Sequence, residues 1–298
     1  MKPDLSTCAL TGQLADSRVA ECAAALVQDL HRRGICVLVA AEDAGDSLPP
    51  HAEAAPRAEL PHRAQVLFSI GGDGTLLQAA RLVAAHDVPV MGINRGRLGF
   101  LTDVLPQEMT ACVDALIAGR CEADPRVLLN ARLLRRNAAP SAMDALNDVV
   151  LLRRESGRML DFETRVSGRY VNSHSGDGFV VATATGSTAY ALSCGGPIVE
   201  PTLNVLLMVP ICPHTMSDRP IMVPGDAIVE INLFEHGEGR ADVTCDGAML
   251  GDMGPGDQLL ISAGTRKVTL LHPPGYDYFR LLRSKLHWGR GRDDQPER

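Results

Sequence analysis

The sequence has few aromatic residues and no excess of positive charge. Its 298 residues include one Trp, four Tyr and six Phe, too few for a platform that stacks nucleic-acid bases. Acidic side chains outnumber basic ones by 36 to 29, and the formal net charge is −7. This balance argues against a protein that binds DNA or RNA through its phosphates. A small anionic ligand is still compatible with it, because a pocket can have its own sign.

Zinc-ligand patterns and export signals are also missing. The eight cysteines form no C-x-x-C motif, which favours buried free thiols over a disulfide framework or a zinc site. Residues 1–13 include Lys2 and Asp4 and no apolar leader segment. The longest uncharged stretch, residues 178–199, contains TGST and Gly-Gly-Pro and is interpreted as loop and buried core. We therefore expect a cytoplasmic protein that has no membrane partner.

The length of the chain and a change in its pattern predict two domains. In residues 1–122, short apolar runs such as 66–70 and 88–93 alternate with helical patterns. This alternation predicts a Rossmann-like parallel sheet with helices on both faces. Residues 42–63 are interpreted as a loop with little helix.

The second predicted domain, residues 123–275, is mostly β, because short strand-like segments are separated by turn residues. The predicted strands are Val127–Leu134, Asp144–Leu152, Phe162–Tyr170, Phe179–Ala182, Ala227–Phe234, Ala241–Cys245, Gln258–Ser262 and Lys267–His272. A final helix within residues 276–288, predicted over Tyr276–Leu286, is expected to pack back on the first domain. Residues 290–298 form a charged tail that we expect to be flexible.

The sharpest motif is Gly71-Gly72-Asp73-Gly74-Thr75, between a predicted strand and a predicted helix. Glycines let backbone N–H groups approach a ligand closely, and a helix N-terminus favours an anion. The loop has no Walker lysine. Asp73 would repel phosphates unless it holds a metal ion or takes a proton from an attacking hydroxyl. The simpler alternative is that Asp73 caps the helix and the glycines form a tight turn.

A second small, hydroxyl-rich loop, Thr185-Gly186-Ser187-Thr188, follows the apolar run 178–182. Hydroxyl groups and free N–H groups suit the sugar and base edges of a nucleotide, although a helix cap would need the same residue types. Two loops of this kind, one in each domain, predict a ligand held in a cleft between the domains. Asn147-Asp148 could bind adenine and ribose or form a turn, and Asp246-Gly247 is typical of a hairpin turn.

Taken together, these motifs resemble the bacterial NAD kinase family. The resemblance rests on GGDGT at 71–75, GINRGRLGFLTD at 92–103, LNDVVL at 146–151, DGFVVATATGSTAYALSCGGPI at 177–198, PICPHTMSDRP at 210–220 and YDYFRLLRSKLHWG at 276–289. The first motif is shared with lipid and sugar-phosphate kinases, whereas the TGSTAY block with Gly-Gly-Pro is far more specific. The sequence departs from the family pattern at Ala184, where relatives commonly have proline, and at Asp148, where they often have glutamate.

The resemblance implies transfer of the γ-phosphate of ATP, or of polyphosphate, to the 2′-hydroxyl of the adenosine ribose of NAD, giving NADP. It implies that Asp73 is the catalytic base and that Gly71, Gly72, Gly74 and Thr75 form the phosphate loop. The NAD-binding residues implied are Asp73, Gly74, Asn147, Asp148, Arg158, Ser175, Asp177, Thr188, Ala189, Tyr190, Ser193 and Ala248. A divalent metal, Mg²⁺ or Mn²⁺, would be held mainly by ATP phosphates. A homodimer or homotetramer is expected.

Two other functions stay open from the sequence. A lipid kinase of the diacylglycerol type shares GGDGT, but it would need an apolar entry or a basic membrane-facing patch, and neither is evident at a net charge of −7. A non-catalytic module that senses NADP would not need a carboxylate among phosphates, so the presence of Asp73 argues against it.

Overall fold

The computed structural model describes residues 5–45, 47–96, 99–154, 159–234 and 239–288. It divides into two compact units. Unit 1 comprises residues 1–124 and 269–298, and unit 2 comprises residues 125–268.

The described residues contain seven α-helices and seventeen strands. The helices are α1 (Ser17–Arg32), α2 (Ala41–Ala44), α3 (Leu60–Arg63), α4 (Asp73–Val83), α5 (Met109–Ile117), α6 (Tyr190–Ser193) and α7 (Tyr278–Leu286), with 3₁₀ turns at Arg57–Glu59, Pro106–Glu108 and Thr185–Thr188. The strands are β1 (Thr7–Gly12), β2 (Cys36–Ala40), β3 (Ala52–Ala55), β4 (Val66–Gly71), β5 (Val90–Asn94), β6 (Glu122–Leu134), β7 (Ser141–Ala145), β8 (Asp148–Arg153), β9 (Leu160–Val166), β10 (Arg169–Gly176), β11 (Gly178–Thr183), β12 (Val205–Ile211), β13 (Ile221–Pro224), β14 (Ile228–Leu233), β15 (Ala241–Cys245), β16 (Ala248–Met253) and β17 (Gln258–His272).

Unit 1 is built on a parallel sheet in the order β3-β2-β1-β4-β5, continued by the end of β17, where Leu270 pairs with Val90. Leu10 and Phe68 point to one face, in a core cluster with side chains of α1 and α5. Leu67 points to the other face and is also buried, and α4 contacts β4 and β5. Strands buried on both faces are typical of a sheet covered by helices on each side. The predicted Rossmann-like sheet is therefore confirmed.

Unit 2 is β-rich. One sheet has the order β13-β12-β11-β8-β15-β16, and a second contains β10-β9-β14-β17; the strand pairs are antiparallel. Phe162 of β9 and Phe179 of β11 meet in an edge-to-face contact with ring centroids 5.7 Å apart, within one core cluster. The other face of the six-stranded sheet packs against Ala184, Ala191 and Val199. The TGST loop and α6 are thereby fixed on that face.

Several sequence-based boundaries are wrong. Residues 42–63, interpreted as loop, contain the edge strand β3, which has weak β propensity but pairs in parallel with β2. The predicted strand Asp144–Leu152 is two strands, because the backbone N–H groups of residues 146–148 bond to the Asp246 side chain. Phe162–Tyr170 crosses a hairpin at Ser167-Gly168, where both φ angles are positive.

Other differences concern strand number and the last helix. Gln258–Ser262 and Lys267–His272 belong to one strand, β17, and the sequence analysis missed β12, β13 and β16. The last helix begins at Tyr278 rather than Tyr276, because the Asp277 side chain accepts hydrogen bonds from the N–H groups of Phe279 and Arg280 and so caps the helix.

Candidate active site

The glycine-rich motif lies where β4 ends and α4 begins, as the sequence predicts. The helix starts at Asp73, and its N-cap is Gly72, which makes no side-chain cap bond. The alternative interpretation of Asp73 as the helix cap is therefore wrong. Asp73 is the first residue of α4, where the positive end of the helix dipole favours a negative charge.

The Asp73 carboxylate is bonded to a segment that follows β5. Its Oδ2 accepts a hydrogen bond from Phe100 N at 2.8 Å. Its Oδ1 accepts bonds from Leu101 N and Thr102 N, each at 3.1 Å, and from Thr102 Oγ1 at 3.0 Å. A Cβ atom on Gly99 would lie 1.9 Å from Asp73 Oδ1, so only glycine allows this approach. Asp73 thus orders residues 99–102 in addition to any chemical role.

The glycines of the motif differ in what requires them. A Cβ on Gly71 would lie 2.3 Å from Thr75 Oγ1, so the fold itself requires glycine there. A Cβ on Gly72 or Gly74 would meet nothing within 4 Å, and neither residue has a positive φ. The chain itself has no steric reason for glycine at these two positions. A ligand whose atoms approach this backbone closely would supply one.

In unit 2, Asp246 organises the backbone between β7 and β8. Its Oδ2 accepts a hydrogen bond from Leu146 N at 2.7 Å, and its Oδ1 accepts bonds from Asn147 N at 2.8 Å and Asp148 N at 3.1 Å. Asp246 N in turn donates to Asp148 O. The residue suggested only as a hairpin turn therefore splits the predicted strand and positions the Asn147-Asp148 pair.

The side chains of Asn147 and Asp148 are buried, and they have few hydrogen-bond partners among the described residues. Asn147 Oδ1 accepts no hydrogen bond from any group that the structure describes. Burial, together with the charge of Asp246, raises the pKa of Asp148 to about 7 despite a bond from the Tyr190 backbone. A buried acceptor without a partner is costly, and such groups are often completed by a ligand or water.

The TGST loop lies against the same pair. A Cβ on Gly186 would lie 2.0 Å from Asn147 O, and Thr183 Oγ1 donates to Leu146 O and accepts from Gly186 N. Ser187 is fully buried and bonds to Ala184 O and Val199 N, so its role is structural. The hydrogen bond that the Tyr190 backbone donates to the Asp148 carboxylate places the start of α6 at the same site.

Arg126 is a residue that the sequence analysis missed. It is 3 % exposed, and its Nη1 donates to Thr185 Oγ1 at 3.1 Å. A buried guanidinium at the loop adds positive charge where the sequence shows only small polar residues. No motif includes Arg126, so only the fold reveals it.

Two other predicted NAD-binding residues lie away from this cluster, at the opposite end of β11. Ser175 and Asp177 lie before β11, whereas the TGST loop follows it, and the five steps from Gly178 to Thr183 span about 16 Å. Asp177 forms an ion pair with Arg153 at 2.9 Å, and Ala248 pairs with Cys245 in a hairpin at Asp246. Thr188 and Ala189 are half-buried, and Ser193 is exposed. Arg158 lies outside the described residues.

A buried Thr-His-Asp arrangement in unit 2 is not a hydrolase site. His174 Nε2 lies 3.0 Å from Thr164 Oγ1, and its Nδ1 lies 2.9 Å from Asp218 Oδ2. Thr164 is fully buried, so no substrate can reach its hydroxyl group. The cluster instead ties the segment around Asp218 to β10.

Among the described residues, no three or more His, Cys, Asp or Glu side chains come together as metal ligands. None of the helices in that part of the chain has the length and apolar character that a bilayer crossing requires.

Comparisons with known families match nearly the whole chain. The model described as the ATP-NAD kinase N-terminal domain matches residues 14–121, and that of the ATP-NAD kinase C-terminal domain matches residues 146–272. A curated NAD kinase of Methylococcus capsulatus is 43% identical over 288 residues, covering 97% of this chain and 99% of the relative. One of Thiobacillus denitrificans is 41% identical over 290 residues, with coverages of 97% and 99%.

Solved structures give the same picture. The chain is similar to an NAD kinase from Archaeoglobus fulgidus in complex with ATP, at a TM-score of 0.73 and 26% identity over 95% of this chain and 99% of that one. A yeast NADH kinase complexed with NADH has the same fold, at a TM-score of 0.88 and 24% identity, covering 99% of this chain and 90% of that one.

The fold, the two loops and these matches define a phosphotransferase that acts on a nucleotide. Within that class the chain belongs to the NAD kinase family, as the resemblance of its motifs predicts.

Proposed function

We propose that the chain transfers the γ-phosphate of ATP to the 2′-hydroxyl of the adenosine ribose of NAD, with Asp73 as the catalytic base. One observation carries the assignment of the site. A carboxylate stands at the first residue of α4, beside two glycines that nothing in the chain itself requires. This arrangement leaves backbone N–H groups open to a phosphate and puts a proton acceptor beside it. Family membership and the ATP complex of the Archaeoglobus relative support ATP as donor.

A ribose hydroxyl is a weak nucleophile at neutral pH, so the reaction needs positioning and removal of a proton. Asp73 Oδ1 and Oδ2 are held by bonds from residues 100–102. Among the described groups, only Phe100 N donates to Oδ2, so this oxygen has a further lone pair that can accept a bond from a substrate hydroxyl. The proton would pass from the 2′-hydroxyl to this carboxylate as the oxygen attacks phosphorus and ADP leaves.

The unpartnered Asn147 Oδ1 and the Asp148 carboxylate support a contact with adenosine, whose amino and hydroxyl groups are donors. Their proximity to Gly186 and to the Tyr190 backbone supports Thr188, Ala189 and Tyr190 as further contacts. For Asp177 and Ser193 the support is the family motif at 177–198. For Ser175, Ala248 and Arg158 it is the match of residues 146–272 to the C-terminal family model. Gly71, Gly72, Gly74 and Thr75 would form the phosphate loop.

A divalent cation, Mg²⁺ or Mn²⁺, would enter the reaction bound to ATP. Mg²⁺ usually keeps several waters and is bound through substrate phosphates, so ATP and water would supply most of its ligands. Such a cation would neutralise charge on the phosphates during transfer. We also propose that the enzyme is a cytoplasmic homo-oligomer, as the resemblance of its motifs to the family implies.

The test is an assay of the purified full-length chain with NAD, ATP and MgCl₂. NADP is measured with an NADP-specific dehydrogenase, and parallel reactions contain polyphosphate, NADH or diacylglycerol. We expect NADP to accumulate only with a phosphoryl donor and a divalent metal ion. Tight NADP binding without turnover would support a sensor instead, and phosphorylation of the lipid would support a lipid kinase.

A further inference from the structure

Unit 1 contains a pocket that is lined by residues outside the GGDGT and TGST loops. It has a volume of about 690 Å³. Its lining comes from residues 103–108, from α5 and Arg120, from the segment 273–277 and from α7. Ligand pockets typically have volumes between about 300 and 1,000 Å³. The pocket is therefore large enough for a small organic molecule.

The pocket walls combine apolar and polar surface, and part of them is firmly held. Leu105, Ala115, Pro273 and Leu281 supply aliphatic surface. Behind them, the Tyr276 ring stacks on the buried His272 ring with centroids 3.8 Å apart. His272 Nδ1 lies 2.7 Å from Asp103 Oδ2, and its Nε2 lies 3.3 Å from Asp124 Oδ2. The back of the pocket is thus fixed without a ligand.

Two guanidinium groups in the pocket have no acceptor. Arg120 follows α5, and Arg280 lies in the first turn of α7. Within the part of the chain that the structure describes, neither side chain forms an ion pair or a hydrogen bond. Arginine in such a position commonly binds carboxylate or phosphate through two parallel hydrogen bonds.

The acidic side chains of the pocket, in contrast, already have partners. Asp114 pairs with Arg33 at 2.6 Å, and Asp103 pairs with His272. Glu108 Oε2 accepts a bond from Leu105 N, and Asp277 caps α7. The hydrogen bonds of Asp103 and Asp124 raise the pKa of His272, although burial opposes this. Arg120 and Arg280 are therefore the charged side chains of the pocket that are left to bind an incoming anion.

We propose that this pocket binds a small organic anion, with its carboxylate or phosphate on Arg120 and Arg280 and its apolar body against Leu105, Ala115 and Leu281. The proposal is independent of the proposed phosphoryl transfer, because none of these residues belongs to the Asp73 loop or to the Asn147-Asp148 cluster. It assigns unit 1 a ligand site beyond those of the substrates.

The test measures binding to the full-length protein by isothermal titration calorimetry or ligand-observed NMR. The probes are 4-phenylbutyrate and phenyl phosphate, with 4-phenylbutanol as the neutral analogue of the first. We expect at least one anion to bind with a Kd of about 1 mM or tighter. The neutral analogue should bind about tenfold more weakly, since it offers no charged acceptor to arginine.

Three variants locate the site. Arg120→Gln and Arg280→Gln should each weaken binding of the anion about tenfold. Ala111→Trp fills the pocket from an exposed position of α5 and should abolish binding. Arg283→Gln is the matched control, because it removes the same charge from the same helix but does not line the pocket.

Circular dichroism and the melting temperature establish that each variant is folded before binding is compared. Failure of both anions to bind the wild-type protein at about 10 mM would overturn the proposal. It would also be overturned if Ala111→Trp bound the probe as tightly as the wild type, or if Arg283→Gln weakened binding as much as Arg280→Gln. NADP formation is measured in a separate assay. Failure of the anion probes to bind would therefore not contradict the proposed kinase activity, and absence of kinase activity would not contradict anion binding.

Discussion

The polar side chains of the two candidate sites differ in burial and in the number of hydrogen bonds that they accept. In unit 1 the Asp73 carboxylate accepts four hydrogen bonds from residues 100–102 and is only half-buried. In unit 2 Asp148 is buried beside a second carboxylate and has a pKa of about 7, and the neighbouring Asn147 Oδ1 has no partner among the described groups.

This difference separates two ways of preparing a site. A carboxylate that is already bonded has a fixed position and pays little to receive one further donor, as a catalytic base needs. A buried polar group without a partner is unfavourable in the free protein by about 1–3 kcal/mol, and a ligand that supplies the missing donor recovers that energy. Unit 1 therefore has the features of a positioned chemical group, and unit 2 has those of a recognition surface.

The largest expected effect comes from Asp73→Asn. The amide cannot take the proton of the 2′-hydroxyl, so kcat should fall by about 10²–10⁴ while the Kd for NAD changes less than about tenfold. The new NH₂ group would also face a backbone N–H of residues 100–102, which should lower the free energy of unfolding by about 1–2 kcal/mol. Stopped assays of NADP formation and urea unfolding measure the two effects.

Thr102→Val controls for the structural part of this effect. It removes the hydroxyl that donates to Asp73 Oδ1 and accepts from Asn94 Nδ2, but it leaves the carboxylate in place. We expect its kcat to stay within about tenfold of the wild type. Equal losses in the two variants would mean that Asp73 only orders the loop, and near-normal turnover in Asp73→Asn would rule out the proton transfer.

Gly74→Ala should separate stability from activity. Gly74 is exposed in the first turn of α4, and an added Cβ meets nothing within 4 Å. Because alanine favours a helix more than glycine does, the free energy of unfolding should rise by about 0.5–1 kcal/mol. The methyl group would nevertheless obstruct a close phosphate, so kcat/KM should fall at least about tenfold.

The matched variant is Gly99→Ala, whose Cβ would lie 1.9 Å from Asp73 Oδ1 and 2.4 Å from Thr102 Oγ1. Here the free energy of unfolding should fall by about 1–3 kcal/mol, because the close contact forces the loop to move. Urea unfolding and kinetics on both variants provide the comparison. If Gly74→Ala left kcat/KM unchanged, no ligand would require glycine at that position.

The local parts of the fold could be predicted from the sequence, whereas the long-range parts could not. The strand, glycine loop and helix around residues 66–83 follow from apolar patterning and glycine placement. The partners of Asp73 are 27–29 residues further along the chain, and no spacing rule connects them. Likewise, Asp246 looks like a turn residue in sequence but bonds to backbone about 100 residues earlier.

Missed strands have similar causes. The residues of β3, Ala-Glu-Ala-Ala, favour a helix, and only pairing with β2 makes them a strand. Strand β12 is a continuous apolar run without the alternation of a half-buried strand. In the site, small residues such as Gly186 could be assigned to a loop, but Arg126 could not be linked to Thr185 before the fold brought them together.

The smallest expected effect on substrate binding comes from the titration of Asp148 in unit 2, which also affects stability. The folded-state pKa of Asp148, about 7, lies above its ordinary value of 3.8. An acid with a raised pKa loses stabilisation as the pH rises, so the free energy of unfolding should fall between about pH 4 and 7. Asp148→Asn, which keeps the size of the side chain but not its charge, should lack this loss and be the more stable form above pH 7.

Binding of NAD should show the opposite slope, because a donor on adenosine favours the ionised carboxylate. From pH 6 to pH 8 the Kd for NAD should fall about threefold to tenfold in the wild type and by less in Asp148→Asn. Calorimetry at fixed ionic strength measures Kd directly and avoids the pH dependence of catalysis by Asp73. If the Kd for NAD changed equally with pH in both proteins, Asp148 would not contact NAD. Asn147 would then be the only one of the two buried side chains proposed to do so.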